Sequence, residues 1–143
     1  MIKYRLFDKR NNEMVDWESL KRHWYALETL EMKEDNNYSP LMVMLKFKDI
    51  NDSEIYVSDV VRVSYYGKTK PSEDGKALEV SGSNVGVVIE TDMGFDVEFE
   101  DKTGRKTLLS TLLSTVDVEE KEFEVLGDIY DPNFSRPQKK WII

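Results

Sequence analysis

The sequence predicts a mainly β fold with one or two helices, in which a small SH3-like β-barrel in the C-terminal part follows an N-terminal hairpin and a helix. The segment 41–63, LMVMLKFKDINDSEIYVSDVVRV, predicts a strand, a polar turn and a second strand that begins at an acidic corner. Further short apolar runs follow at roughly ten-residue spacing, which is typical of a small barrel or sandwich. About five or six strands are too few for an immunoglobulin-type sandwich, and closure into a barrel hides strand edges.

The N-terminal residues predict a β-hairpin. In residues 1–7, every second side chain from Ile2 to Leu6 is apolar, so one face of the segment is fully apolar, as expected of a strand. Residues 8–12, DKRNN, predict a turn, because Asp and Asn tolerate left-handed backbone and bond to their own backbone. Residues 13–15 then predict a short returning strand.

A helix is predicted from Asp16 to Glu34. Asp16 is the expected N-cap, because its carboxylate can accept a backbone N–H of the first turn. Apolar residues then recur at spacings of three and four: Trp17, Leu20, Trp24 and Leu27. Pro40 prevents the helix from continuing further.

The rest of the chain is predicted to be short strands joined by turns. The predicted strands cover 41–47, 54–57, 60–66, 85–90, 95–99 and 122–130. The stretch from Gly67 to Gly82 is rich in Lys, Ser, Pro and Gly, and therefore predicts a surface loop. Residues 91–94 predict a hairpin loop, and the leucines between Leu108 and Val116 predict a short buried helix.

Three blocks of the sequence resemble the YopX-like family of small phage and prophage proteins. The blocks are residues 3–9, KYRLFDK, residues 41–61 of the segment quoted above, and residues 123–130, FEVLGDIY. Gly86-Val87-Val88 is similar to a G-V-V strand of that family. The resemblance implies a β-rich fold with an SH3-like barrel in the C-terminal part, and it implies no particular activity.

The length of 143 residues suits one domain. We therefore expect a single YopX-like domain over residues 1–143. Its parts would be an N-terminal hairpin and helix over 1–38, a β-barrel core over 40–131, and a C-terminal tail over 132–143.

The chain departs from the family at three positions where glycine is common, namely Lys46, Asp52 and Ser58. Asp52 can adopt left-handed backbone at modest cost, so we expect its turn to persist. Lys46 and Ser58 are expected to alter the backbone locally, because glycine usually occupies positions that have a positive φ or that another backbone segment approaches closely.

The composition argues against several classes of function. Without cysteine, the chain has no disulfide, thiol nucleophile or thiolate metal site. The net charge of −8 repels a phosphate backbone and disfavours nucleic acid. No apolar run approaches the roughly 20 residues that span a bilayer, and the N-terminal residues lack the apolar region of a signal peptide. We therefore expect a cytoplasmic protein of a bacterial host cell, with no membrane contact.

No motif predicts a catalytic residue, a cofactor or a metal ion. Asp49, Asn51 and Ser53 are spaced like the start of a calcium loop. That loop needs Gly at its sixth position and Glu at its twelfth, which here are Glu54 and Val60. The prediction is instead a turn whose polar side chains bond to their own backbone.

Two further polar residues are predicted to be structural. The carboxylate of Asp59 is expected to accept backbone N–H bonds at its corner, since no base or nucleophile can be placed beside it. His23 is the only histidine, and one histidine without cysteines does not make a zinc site. We therefore expect the protein not to be an enzyme.

The protein is predicted to act as a phage or prophage accessory protein through protein contacts. Trp is enriched at binding hot spots, and bulky apolar residues at the end of a chain need a surface to cover them. The candidate interaction surface consists of Trp17, Trp24, Trp141, Ile142 and Ile143. The apolar residues 141–143 are expected either to pack back on the barrel of their own chain or to dock on a neighbouring subunit. The basic residues before Trp141 suit an acidic surface, including that of a second copy. We expect a homo-oligomer or a complex with another phage or host protein.

Two other functions remain open from the sequence. Small β-barrels can bind nucleic acid on aromatic surfaces, for which the contact residues would be Tyr65, Tyr66, Lys68 and Lys70. An acidic surface could also mimic DNA, although the 28 acidic residues are spread along the whole chain.

Overall fold

A computed structural model describes residues 2–22 and 37–132 of the chain. Contacts between Cα atoms divide the chain into two compact units, residues 1–46 and 47–143, which we describe one at a time. Strands are the main element among the described residues, so the predicted mainly β fold is confirmed. The prediction of one domain over 1–143 stays a prediction. Within the described ranges, no helix is long and apolar enough to cross a membrane.

The described residues of the first unit form β1 (Tyr4–Asp8), β2 (Glu13–Val15), α1 (Trp17–Arg22) and most of β3 (Met42–Lys48). The last two residues of β3 belong to the second unit. Strand β1 lies between β2 and β3 and is antiparallel to both. The predicted hairpin is confirmed, since the Oδ1 atom of Asp8 accepts the backbone N–H of Arg10 and of Asn11. Asn12 completes the turn with a φ of 55°.

Helix α1 begins where the sequence predicts. The Oδ1 atom of Asp16 accepts the N–H of Ser19 at 2.9 Å, and its carbonyl accepts the N–H of Leu20 at 3.0 Å. Leu20 faces the interior and is 4% exposed. The predicted continuation of the helix to Glu34, which includes Trp24, lies outside the described residues.

The second unit is built on a five-stranded antiparallel sheet with the strand order β8-β7-β6-β5-β9. Its elements are β4 (Glu54–Tyr56), β5 (Asp59–Thr69), β6 (Glu79–Thr91), β7 (Gly94–Glu100), β8 (Lys106–Leu108), α2 (Leu109–Leu112) and β9 (Val116–Asp128). β-branched side chains on three neighbouring strands form its core, because they pack well on a pleated surface. The fully buried members are Val60, Val61, Val63, Val88 and Val97.

The loop predicted from Gly67 to Gly82 is wrong at both ends, because β5 continues to Thr69 and β6 begins at Glu79. Both glycines lie inside paired strands, where they permit close approach. The ring of Tyr65 lies over Gly82, and the carbonyl of Asp117 lies beside Gly67. Glycine therefore marks contacts between strands here, and the connecting loop covers only 70–78.

The predicted last strand is also too short at its start. Strand β9 begins at Val116 instead of 122, because it pairs with β5 along its whole length. Residues 117–122, DVEEKE, are exposed and carry no alternation of apolar and polar residues. Strand β8 was not predicted at all, since three residues are too few to show a period.

Two of the three positions that replace glycine, Asp52 and Ser58, keep the left-handed backbone that glycine favours. Asp52 has a φ of 63°, as expected, and Ser58 has a φ of 77°. The expected local change at Ser58 is therefore not observed: its N–H donates to the carbonyl of Val88, and its carbonyl accepts from Ile129. Lys46 lies within β3 and has no positive φ.

Replacing Ser58 by glycine is expected to stabilise the second unit. A non-glycine residue in left-handed backbone costs about 1–2 kcal/mol, and the greater freedom of glycine in the unfolded chain offsets about half of this. We expect Ser58→Gly to raise the free energy of unfolding by about 0.5–1 kcal/mol, measured by urea denaturation. A decrease would show that the serine side chain itself stabilises the corner.

Candidate functional site

Three phenylalanine rings from three strands meet on the second unit. The ring of Phe47 lies 5.6 Å from that of Phe95 and 5.1 Å from that of Phe123, centroid to centroid. Phe123 is buried, whereas Phe47 and Phe95 leave 38% and 37% of their surface in solvent. The Phe47–Phe123 pair packs edge to face, which favours the cluster by about 0.5–1.5 kcal/mol beyond burial alone. The rings therefore form an apolar floor that solvent still reaches.

The cluster opens into a cavity of about 360 Å³, which we call the aromatic cavity. Its lining consists of Phe47, Lys48, Asp49, Ile50, Phe95, Lys121, Glu122 and Phe123. Ile50 stands at its rim and is 54% exposed. An apolar floor with a few charged groups at the rim is typical of a surface that binds a side chain of a partner.

The Asp49 carboxylate holds one wall of the aromatic cavity in place. Its Oδ1 atom accepts the N–H of Asn51 at 2.9 Å and of Ser53 at 2.8 Å. Its Oδ2 atom accepts the N–H of Val125 in β9 at 2.8 Å. The turn predicted at this place is confirmed, and its aspartate also ties the turn to the last strand.

The electrostatics of Asp49 follow from these bonds. Burial alone would raise the pKa of its carboxyl, but the N–H groups of Val125, Ser53 and Asn51 favour the charged form. Their combined effect holds the pKa of Asp49 below its ordinary value. The carboxylate is thus a structural anion that accepts three backbone hydrogen bonds, out of the roughly four that its lone pairs allow.

Strand β9 has an edge that faces away from β5, which we call the outer edge of β9. The carbonyl of Phe123 on this edge accepts the N–H of Ile50 at 2.9 Å, and Val125 donates to Asp49. Backbone groups of an antiparallel strand alternate in direction, so Lys121 points its N–H and C=O the same way as Phe123. Across the part of the chain that the structure describes, these two groups of Lys121 have no partner.

The outer edge of β9 is acidic. Four carboxylates and one ammonium lie within six exposed residues: Asp117, Glu119, Glu120, Lys121 and Glu122. The ammonium of Lys121 lies 5.8 Å from the ring centroid of Phe123, over the floor of the aromatic cavity. An exposed strand edge next to an apolar cavity is a place where an extended segment can pair.

The other predicted carboxylate is structural as well. The Oδ2 atom of Asp59 accepts the N–H of Tyr56 at 2.8 Å, and Asp59 is 2% exposed. This is the corner hydrogen bond that the sequence predicts. Among the described residues, no group of three or more acidic or histidine side chains is placed to hold a metal ion.

The predicted interaction residues fall mainly outside the described ranges. Trp24, Trp141, Ile142, Ile143 and the single histidine, His23, lie there. Trp17 belongs to the first unit, where its half-buried ring packs 5.9 Å from that of Tyr4. The sequence did not single out Phe47, Ile50 or Phe95, because each stands alone at the end of a strand or in a turn, and only tertiary structure brings them together.

The residues of the nucleic-acid hypothesis lie in acidic surroundings. The hydroxyl of Tyr66 donates to Glu79 at 3.2 Å. The charge of Glu79 is the main cause that raises the pKa of Tyr66, with burial and the charges of Glu119 and Glu120 adding to it. Lys68 is paired in register with Glu79 on one side and Asp117 on the other. A phosphate at this face would meet these carboxylates.

The profile of the YopX protein family matches residues 3–133 of the chain. The chain belongs to the YopX protein family. The match begins within the first unit and runs through the whole sheet of the second, so it includes both the aromatic cavity and the outer edge of β9. It confirms the resemblance seen in the three sequence blocks. No curated protein matches the chain.

Proposed function

We propose that this YopX family member is a phage or prophage accessory protein that works by protein contacts in the cytoplasm of its bacterial host. The resemblance to a family of small phage and prophage proteins motivates the accessory role. The observation that carries the contact role is the aromatic cavity, where Phe47 and Phe95 keep more than a third of their surface in solvent. Binding, without a catalytic step, is the activity that such a surface supports.

We further propose that β5 to β9, together with α2, form a small SH3-like barrel. The first long strand, β5, pairs with both β6 and β9, and the strands between them follow one another in antiparallel order. A single helical turn, α2, leads from β8 to β9. This order is the one that an SH3-like barrel needs, and it leaves the outer edge of β9 beside the aromatic cavity.

The proposed partner is a second copy or another phage or host protein that presents an apolar side chain beside basic ones. Covering the exposed rings gains about 25 cal/mol for each Å² of apolar surface removed from water. The carboxylates of the outer edge of β9 add charge complementarity, which contributes more to specificity than to affinity. Rigid aromatic anchors with a charged rim are typical of binding hot spots.

Photo-cross-linking tests this proposal in the host cell. The residue p-benzoylphenylalanine in place of Phe95 reports what lies against the aromatic cavity. The matched control carries it in place of Leu78, which is 69% exposed in the loop of the same unit. We expect protein adducts from position 95 that the control does not give, and that disappear when Phe47 is replaced by serine. Equal adducts from both positions, or none, would contradict the proposal.

Self-association is the form of contact that is simplest to measure. One chain has a mass of 16.8 kDa. If a second copy is the partner, light scattering coupled to size exclusion will give a mass that rises above this value with concentration. A constant mass of one chain at high concentration would rule out a second copy and leave another phage or host protein.

A further inference from the structure

We propose that the outer edge of β9 binds an extended segment of another protein as a further antiparallel strand, and that this segment carries an apolar residue between two basic ones. The inference rests on the proposed function, because it names the kind of partner that covers the aromatic cavity. It goes further in stating how the backbone of the partner pairs and which side chains that pairing requires.

The chain itself already makes one hydrogen bond on this edge. The carbonyl of Phe123 accepts the N–H of Ile50 at 2.9 Å, as it would accept an N–H of a paired strand. The next residue of β9 that points the same way is Lys121. Its N–H and C=O have no partner within residues 2–22 and 37–132, and the residue is exposed. Lys121 is therefore an open position at which a ladder of hydrogen bonds can continue.

A single open position favours antiparallel pairing. In an antiparallel pair, one residue of the added strand can exchange both hydrogen bonds with the residue opposite it, whereas a parallel strand divides the bonds between two residues. One residue of the partner can thus satisfy both backbone groups of Lys121. The strand pairs inside the five-stranded sheet are antiparallel as well.

The register at Lys121 decides where the partner needs an apolar side chain. Side chains that lie opposite each other in two paired strands share one face of the sheet. The partner residue opposite Lys121 therefore lies on the face of Lys121 and Phe123, both of which line the aromatic cavity. Its Cβ atom comes about 5.5 Å from that of Lys121 and about 7–8 Å from that of Phe123, within reach of a large side chain. An apolar residue at this position would cover the exposed rings.

The two neighbouring residues of the partner meet carboxylates. They lie opposite Glu120 and Glu122, whose side chains alternate with that of Lys121 and so point to the other face of β9. Both carboxylates are exposed, and neither has an ion pair with any residue that the structure describes. Opposite charges directly across two strands stabilise the pair. The edge therefore favours a segment with the order basic, apolar, basic.

The same charges disfavour a second copy at this place. If two copies paired β9 with β9 about Lys121, this lysine would face Lys121 of the partner subunit, and Glu120 would face Glu122 of the partner subunit. Like charges directly opposite each other destabilise a pair of strands. The net charge of −8 also repels a second chain as a whole. The occupant that the edge favours is a basic segment of another protein.

Titration of the ¹⁵N-labelled full chain with the blocked peptide acetyl-TKFKT-amide tests the inference. We expect the amide signals of Ile50 and of residues 119–123 to shift, with a Kd of about 1 mM or tighter. The peptide acetyl-TKKFT-amide has the same composition and charge without the alternation, and it should bind at least about fivefold more weakly. Equal affinity for the two peptides, or no shift up to about 5 mM of the first, would overturn the proposal.

A methylated peptide separates strand pairing from the attraction of charge and ring alone. When the backbone nitrogen of the phenylalanine in acetyl-TKFKT-amide is methylated, the donor that faces the carbonyl of Lys121 is lost, while the charges and the ring remain. We expect this peptide to bind at least about fivefold more weakly than its parent. Unchanged affinity would overturn the added strand.

Charge reversal on both molecules provides a matched rescue. The variant Glu120→Lys with Glu122→Lys should bind acetyl-TKFKT-amide at least about fivefold more weakly, because like charges then oppose each other. The same variant should bind acetyl-TEFET-amide as tightly as the parent chain binds the lysine peptide. Both positions are exposed, so the amide signals of the core should stay unchanged. A variant that still prefers the lysine peptide would contradict the register that we propose.

The outcome is distinguishable from failure of the proposed function. Cross-linking at position 95 reports whether any protein covers the aromatic cavity, whatever its conformation. Adducts at that position without binding of the peptide would overturn the added strand and leave the contact role standing. Binding of the peptide without adducts would support the edge as a binding site and count against the contact role in the host cell.

Discussion

Replacing Gly86 by alanine is expected to lower the free energy of unfolding of the second unit by about 3 kcal/mol. Gly86 is buried in β6, between β5 and β7. A Cβ atom there would lie 2.5 Å from the carbonyl oxygen of Glu98 and 2.6 Å from the ring of Phe99. The first of these neighbours is backbone, so the two strands must separate to admit a methyl group.

Urea denaturation followed by circular dichroism measures this effect. The matched control is Ser81→Ala in the same strand, where the side chain is exposed, and we expect it to change stability by less than about 0.5 kcal/mol. If Gly86→Ala proves as mild as the control, the close approach of β6 to β7 described here is wrong.

Replacing Asp49 by alanine is expected to cost about 3 kcal/mol as well, and to open the aromatic cavity. The change removes the acceptor of three backbone N–H groups, on Asn51, Ser53 and Val125. Each hydrogen bond to a charged group contributes about 1.5–3 kcal/mol. In the variant, water can bind some of the freed N–H groups of this half-buried turn, which reduces the total loss. Asp49→Asn keeps one carbonyl oxygen and should cost about half as much.

Lowering the pH should weaken the same hydrogen bonds of Asp49 in the unmodified protein. Because the folded-state pKa of Asp49 is lowered, its contribution is present above the unfolded pKa of about 3.9. The contribution is lost as the pH falls through the lower, folded-state value. Denaturation curves between pH 7 and pH 3 should therefore show a smaller loss for Asp49→Asn than for the parent chain. Equal losses would show that other carboxylates cause the acid sensitivity.

Much of the fold follows from local sequence. The hairpin over residues 4–15 depends on Asp8 and Asn12, whose side chains suit a turn wherever they occur. The start of α1 depends on one capping aspartate, Asp16. The turn at Asp49 was predicted for the same reason, since Asp bonds to nearby backbone N–H groups.

The candidate site could not be predicted, because its parts are far apart in the sequence. Phe47, Phe95 and Phe123 come from three strands, and each looks like an ordinary end of an apolar run. The outer edge of β9 was missed because residues 117–122 are exposed and charged on both faces, so pairing with β5 alone makes them a strand. Tertiary contacts override local propensity in that segment.

Nuclear Overhauser effects between phenylalanine ring protons test the central claim most directly, which is that three strands bring Phe47, Phe95 and Phe123 together on the second unit. We expect cross-peaks from the ring of Phe47 to both other rings, since the ring centroids lie 5.6 and 5.1 Å apart. Ring protons of Phe47 that show no cross-peak to either Phe95 or Phe123 would contradict the account.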